Sequence, residues 1–262
     1  MSGHYTPYME KDPATGGMYI WNNSLMLDAR RTKRNTLIEI VEREHWGLTC
    51  YMDKTIQSCL ADEKAYHGML TGPALAELAF LKGTPTGSAT DIEGPTPYAL
   101  CVFGGGEGAT ARDLLRAGGG HIVDSVDMIE WDEEVVTLFR ERYPQWGQGV
   151  WHDRRLRIEF ADAFEVCTQN RHRQYDWLFV DLFDIEEGMI DKMCGFLQSV
   201  APWTRHGLTL YVTNHTLFPD PEEICVKRIR EFLEKIGFQV YLDTQHVPSF
   251  HGYAIFLRAV RI

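Results

Sequence analysis

The sequence predicts an α/β protein in which a mostly parallel sheet, covered by helices on both faces, follows a small antiparallel β unit. Three observations carry this. From residue 98 to the end, short apolar runs alternate with segments of helical spacing, the pattern that builds a parallel sheet. Residues 1–70 lack that alternation and hold short runs rich in Ile, Leu, Val, Thr, Tyr and Trp, cut by hairpin punctuation. The composition, 44% hydrophobic and 24% charged over 262 residues, is that of a folded chain and excludes disordered, collagen-like and coiled-coil classes.

In chain order, Met18–Leu27, Thr36–Glu44 and Leu48–Met52 read as strands separated by Asn22-Asn23, Gly47 and Asp53. Asp62–Lys82 has helical spacing, with Gly72-Pro73 expected to stop and restart the helix. A Gly/Pro/Thr/Ser-rich connector, Gly83–Pro97, closes this part. The expected boundaries are therefore 1–70 for the β domain, 71–97 for the helix and connector, and 98–262 for the α/β domain. In that domain the expected strands are Tyr98–Phe103, Ile122–Ile129, Arg155–Phe160, Trp177–Val180, Leu208–Val212, Phe238–Leu242 and Tyr253–Val260. Between them lie helices over Ala109–Ala117, Asp132–Arg142, Ala163–Asn170, Ile185–Val200 and Pro221–Ile236. A sheet of this kind binds ligands beyond the carboxyl ends of its strands, so the chemistry is expected just after each strand.

Lys and Arg number 26 against 37 Asp and Glu, a net charge of −11 that disfavours nucleic acid and anionic membranes and favours a cationic partner. Six cysteines are scattered singly, without C-x-x-C pairs. No leader-like apolar segment and no bilayer-length apolar run is present, so the expected location is the cytoplasm. The ten histidines form no H-E-x-x-H or clustered pattern, and no metal is expected.

After the first strand of the α/β domain comes Gly104-Gly105-Gly106-Glu107-Gly108-Ala109, opening a helix. The glycines permit a tight turn and close approach of a ligand to the helix amides. Gly104, Gly106 and Ala109 satisfy the dinucleotide fingerprint literally, but Glu107 would sit where a pyrophosphate belongs, and two anions there repel. An acid in that loop suits a ligand carrying both an adenosine and an ammonium, namely S-adenosylmethionine or its decarboxylated form. Glu130, 26 residues after Gly104 at the end of the second strand, is placed to accept ribose hydroxyls. Asp132 reads as a helix cap. Asp162 ends the third strand and suits the adenine amino group, although each acid alone could equally cap a helix or face solvent. The fourth strand ends Asp181-Leu182-Phe183-Asp184, carboxylates able to hold an amine and accept its proton.

At these residues the sequence resembles the polyamine aminopropyltransferases, the spermidine and spermine synthases. Their G-G-G-D-G-G loop is similar to residues 104–109, their ribose-binding Glu to Glu130, their adenine acid to Asp162 and their D-x-x-D to Asp181–Asp184. The stretch Met52–His67 is similar to the family's L-D-G-x-x-Q-x-x-x-x-D-E-x-x-Y, and Val247-Pro248-Ser249-Phe250 resembles the V-P-S-Y of spermine synthases. The resemblance implies a Rossmann-like, class I methyltransferase-type domain behind an N-terminal β domain, and dimerisation through the latter. It implies aminopropyl transfer from decarboxylated S-adenosylmethionine as co-substrate, with no tightly bound cofactor. Gln57 would contact the donor, Asp184 with Asp181 would orient the amine and take its proton, and Tyr66 would fix their geometry. Glu186 and Glu187 would attract the remaining ammonium groups of a polyamine. The chain departs from the pattern at Glu107 for Asp, Ala109 for Gly and Lys54 for Gly. It also lacks D-S-S-D-P, carrying Ile185-Glu186-Glu187 after Asp184, which leans the acceptor toward spermidine. The rivals are an N-methyltransferase using intact S-adenosylmethionine and a catalytically silent binding subunit; a NAD-dependent oxidoreductase is disfavoured by Glu107.

Overall fold

The computed structural model describes residues 6–12, 16–81, 97–169, 174–215 and 219–262. The expected connector lies outside them except for Pro97, as does Asn170. Five strands, β1 (Thr6–Lys11), β2 (Met18–Arg31), β3 (Leu37–Arg43), β4 (Gly47–Met52) and β5 (Thr55–Cys59), pair antiparallel in chain order. β1 and β5 are short and polar enough to escape a periodicity reading. Asp53 and Lys54 join β4 to β5 with φ of 49° and 71°, a left-handed turn that favours glycine. Lys54 accepts that backbone and sends its ammonium to the buried Glu39 carboxylate at 2.5 Å.

The helix α1 (Glu63–Leu81) runs unbroken through Pro73, against the expected restart at Gly72-Pro73. Proline here removes one N–H from the ladder and costs about 3 kcal/mol in a free helix. Burying Tyr66, Leu70, Ala74 and Leu78 as one stripe against the larger sheet outweighs that, at roughly 1.5–3 kcal/mol for each large apolar side chain.

The larger sheet contains β6 (Tyr98–Gly104), β7 (Val123–Glu130), β8 (Leu156–Phe160), β9 (Tyr175–Asp181), β10 (Thr204–His215), β11 (Phe238–Val247) and β12 (Gly252–Arg261), in the order β11-β12-β10-β9-β6-β7-β8. β8, β7, β6, β9 and β10 are parallel, and the β11–β12 hairpin adds antiparallel strands at one end. The helices are α2 (Ala109–Arg116), α3 (Glu133–Glu141), α4 (Ala163–Val166), α5 (Ile190–Val200) and α6 (Ile224–Lys235). One apolar core lies under α5 and α6, and a second under α1 and α2. Because β7 and β8 lie on one side of β6 and β9 and β10 on the other, the order in which strands are added reverses at β6, and the crevice opens at its carboxyl end. Among the described residues no helix is long and apolar enough to cross a membrane.

Candidate active site

A cavity of about 670 Å3 fills that crevice, roofed by the smaller sheet through Met52, Thr55, Ile56 and Gln57. The glycine turn forms its floor. Gly104 has φ of +88°, and a Cβ there would stand 2.0 Å from the Asp181 carbonyl oxygen, so no other residue fits. A Cβ on Gly106 would stand 2.9 Å from Glu130 Oε2, so this glycine leaves room for the carboxylate expected at the ribose.

Glu130 Oε1 accepts the Asp132 amide at 3.0 Å. Burial, reinforced by the charge of Glu107, pushes the Glu130 carboxyl up to about 7. Asp132 caps α3, accepting the Glu134 amide at 3.0 Å. Asp162 also caps a helix, accepting the Phe164 amide at 2.8 Å, while still lining the cavity. The cap takes up Oδ1 alone, so capping and a place in the cavity wall are compatible.

Asp181 and Asp184 both reach the cavity, but each has its own tyrosine. The Tyr66 hydroxyl donates to Asp181 Oδ1 at 2.5 Å and Thr110 donates to Oδ2 at 3.2 Å. The Tyr211 hydroxyl donates to Asp184 Oδ1. Burial raises both carboxyls; His67 opposes the rise at Asp181, and Tyr211 opposes it at Asp184. Burial and the neighbouring carboxylates hold both tyrosines well above the ordinary phenol range, so they remain donors. Tyr66 is therefore matched to Asp181, the first aspartate of the stretch, rather than to Asp184.

Glu107 also faces the cavity, and its Oε1 lies 3.0 Å from Nε2 of the buried His67. That vector lies off the ring N–H axis, so the contact is an ion pair rather than an aligned hydrogen bond. His67 Nδ1 lies 2.7 Å from the Glu63 carbonyl and 3.1 Å from Glu63 Oε2. Glu63 in turn is gripped by Arg112 through two nitrogens at 3.1 and 2.9 Å. Burial resists charging the imidazole, but Glu107 and Glu63 outweigh it and hold His67 at about 10.

A second cavity of about 420 Å3 shares Asp184, Glu186, Tyr211 and Phe250 with the first. Its wall carries six carboxylates, those of Glu10, Asp12, Asp184, Glu186, Glu187 and Glu223, and among its described lining residues there is no Lys or Arg. Glu10 accepts Trp21 Nε1 at 2.5 Å and lies 3.4 Å from His251 Nε2. Asp62 accepts both the amide and the hydroxyl of Ser249, at 2.7 and 2.8 Å, and so fastens the Pro248–Phe250 turn between the two cavities.

The spermine/spermidine synthase domain matches residues 63–260. The chain belongs to that family. It is 32% identical over 218 residues to polyamine aminopropyltransferase 2 of Hyperthermus butylicus, covering 81% of this chain and 64% of that protein. With the polyamine aminopropyltransferase of Prochlorococcus marinus (strain MIT 9301) the identity is 28% over 150 residues, 57% of this chain and 46% of that protein. The matches thus span about half to two thirds of these relatives' length. A spermidine synthase in complex with the transition-state analogue AdoDATO superposes with a TM-score of 0.75 at 19% identity, covering 97% of this chain and 80% of that one. The spermidine synthase of Thermotoga maritima gives 0.71 at 20%, covering 97% and 79%. These two similarities establish the methyltransferase-like fold.

Against this family fold, the structure brings Gln57, Tyr66, Gly104, Gly106, Glu107, Glu130, Asp162, Asp181, Asp184 and Glu186 into one cavity, while Glu187 lines only the adjoining one. Sequence reasoning missed Tyr211, His67, Thr110, Glu10 and Asp12. Tyr211 carried a faint signal, a phenol near the carboxyl end of an apolar strand. For His67 only the i,i+4 spacing to Glu63 on α1 was visible, while Glu107 comes from another element.

Proposed function

We propose that this chain transfers an aminopropyl group from decarboxylated S-adenosylmethionine to a polyamine, releasing methylthioadenosine. The observation that carries the reading is the Tyr66–Asp181 hydrogen bond inside the first cavity, beside the Asp184–Tyr211 pair that this cavity shares with a second one lined with acids. Family membership, the names of the relatives and the analogue bound in one fold neighbour support it. Glu130 would hold the ribose hydroxyls, Asp162 the adenine amino group, and Glu107 with Gln57 the donor's aminopropyl arm. The acceptor's neutral nitrogen attacks the methylene beside the sulfonium; the C–S bond breaks as the C–N bond forms, and the nitrogen's proton passes to Asp181. The sulfonium leaves readily, so the protein's task is to align the reactants and keep the nucleophile uncharged. An alkylamine with pKa about 10.4 is mostly protonated at neutral pH, which makes a nearby base worth having.

The acid-lined second cavity supports a long acceptor. A triamine such as spermidine brings two further ammonium groups, which are costly to desolvate unless carboxylates meet them. A cytoplasmic location fits the six free thiols. A homodimer joined through the smaller sheet fits Met9 and Ile20, paired across β1 and β2 and both exposed. The test is a product assay with decarboxylated and intact S-adenosylmethionine, against putrescine and spermidine. Methylthioadenosine with an elongated amine is expected, faster with spermidine. Methyl transfer from the intact donor would overturn the reaction. A preference for putrescine in kcat/KM, unchanged in Glu186→Gln and Glu187→Gln, would overturn the acceptor assignment.

A further inference from the structure

We infer that His67 is a permanent buried cation that positions the Glu107 carboxylate and keeps Asp181 ionised for proton transfer. His67 is 1% exposed, so water cannot satisfy its ring. Nδ1 lies 2.7 Å from the Glu63 carbonyl oxygen, an atom that can only accept, so Nδ1 carries a proton. Nε2 lies 3.0 Å from Glu107 Oε1. A neutral ring would leave an unprotonated, electron-rich Nε2 beside a carboxylate oxygen at that distance, a repulsion with nothing to relieve it in a buried site. Protons on both nitrogens remove the conflict.

The surroundings make that charge affordable. From α1 come Glu63 and the Tyr66 phenol, from α2 Arg112, from the glycine turn Glu107, from β4 the Cys50 thiol and from β9 Asp181. Arg112, Glu63, His67 and Glu107 alternate in sign along one chain of contacts, which Asp113 also joins at Arg112 Nε, 2.7 Å away. Without the His67 charge, Glu107 would stand as an unbalanced anion beside Asp181, whose other neighbours, Tyr66, Thr110 and Tyr211, are uncharged donors and rings. A carboxylate so placed holds its proton more tightly and serves less well as a base. His67 is thus a positioning residue that acts through Glu107 and Asp181, and the inference rests on Asp181 being the proton acceptor.

Two measurements test it. In the wild-type protein labelled with 15N-histidine, long-range NMR should show both His67 nitrogens protonated from about pH 6 to about pH 9, where a free imidazole is neutral over most of the range. The resonance is assigned by its loss in His67→Gln or its perturbation in Glu107→Gln. In His67→Gln, the lower break in the kcat/KM profile should move up by about one pH unit. The activity loss, about tenfold near pH 7, should then shrink to a few-fold near pH 9, with methylthioadenosine affinity nearly kept. A neutral ring in an active enzyme overturns the inference, and so does a uniform loss with the break unmoved. Absence of aminopropyl transfer by the wild-type protein would instead remove the reaction itself, with the NMR result still deciding the charge of His67.

Discussion

Asp181 and Asp184 leave the same strand three residues apart, each receives a tyrosine hydroxyl, and burial raises both carboxyls, yet they stand in opposite electrostatic settings. On the Asp181 side the acids Glu63 and Glu107 each meet a cation, Arg112 or His67, and Asp113 meets Arg112 as well. On the Asp184 side Glu186, Glu187, Glu10, Asp12 and Glu223 gather without a Lys or Arg among the described lining residues. A balanced cluster has its geometry fixed before any ligand arrives, which suits proton transfer. An unbalanced one gains most when a cation enters, which suits holding a polyamine chain. The difference teaches that identical side chains take their roles from the charges around them.

The sharpest way to break this comparison is to exchange the two aspartates' fates. Asp181→Asn should lower turnover by roughly 10²–10⁴ while methylthioadenosine binding stays within a few-fold. Single-turnover kinetics with binding calorimetry measure both. A milder effect at Asp181 than at Asp184 would reverse the assignment.

Next in size is the balanced cluster itself. Glu63→Gln leaves Arg112 and His67 buried with one anion fewer and should cost about 3–5 kcal/mol in denaturant unfolding. Although burial resists the charge on Glu63, His67 and Arg112 hold its carboxyl down at about 2. A depressed carboxylate stabilises the fold fully above its unfolded value near 4.5, and this contribution is lost as pH falls toward 2. The wild-type protein should therefore lose stability between pH 4.5 and 2 more steeply than Glu63→Gln does. Parallel curves would show that His67 and Arg112 do not hold the Glu63 carboxyl down.

On the acid-lined side, Asp184→Asn should reduce kcat/KM for spermidine by about 10–10²-fold, chiefly through KM, with a smaller effect for putrescine. Equal loss for both acceptors would deny the second cavity its role. The smallest effect concerns Glu130, held near 7. Ribose hydroxyls need an ionised acceptor, so methylthioadenosine affinity should rise several-fold from about pH 6 to about pH 8, and this dependence should vanish in Glu130→Gln. A wild-type affinity flat over that range would remove Glu130 from the ribose.

Much of the α/β domain was legible because its signals are local. Strand and helix periods, the run Gly104–Gly108 and an acid after each of three strands all lie within a few residues of the element that positions them. The caps at Asp132 and Asp162 belong to the same class. The β5 strand and the continuity of α1 through Pro73 were illegible, since a polar edge and a helix-breaking residue are overruled only by what packs against them.

By itself, then, the sequence determined the order of elements in the α/β domain, the glycine turn and the acids that ring it, because backbone sterics and side-chain period act over short stretches. Only the tertiary structure decided which partners each acid meets. Tyr66 reaches Asp181 across 115 residues, His67 finds Glu107, and Glu10 joins Glu223 in one wall, all between residues from separate elements. Charge acts through space and is amplified by burial, so the electrostatic setting of each carboxylate follows from its distance to charges brought in by other elements.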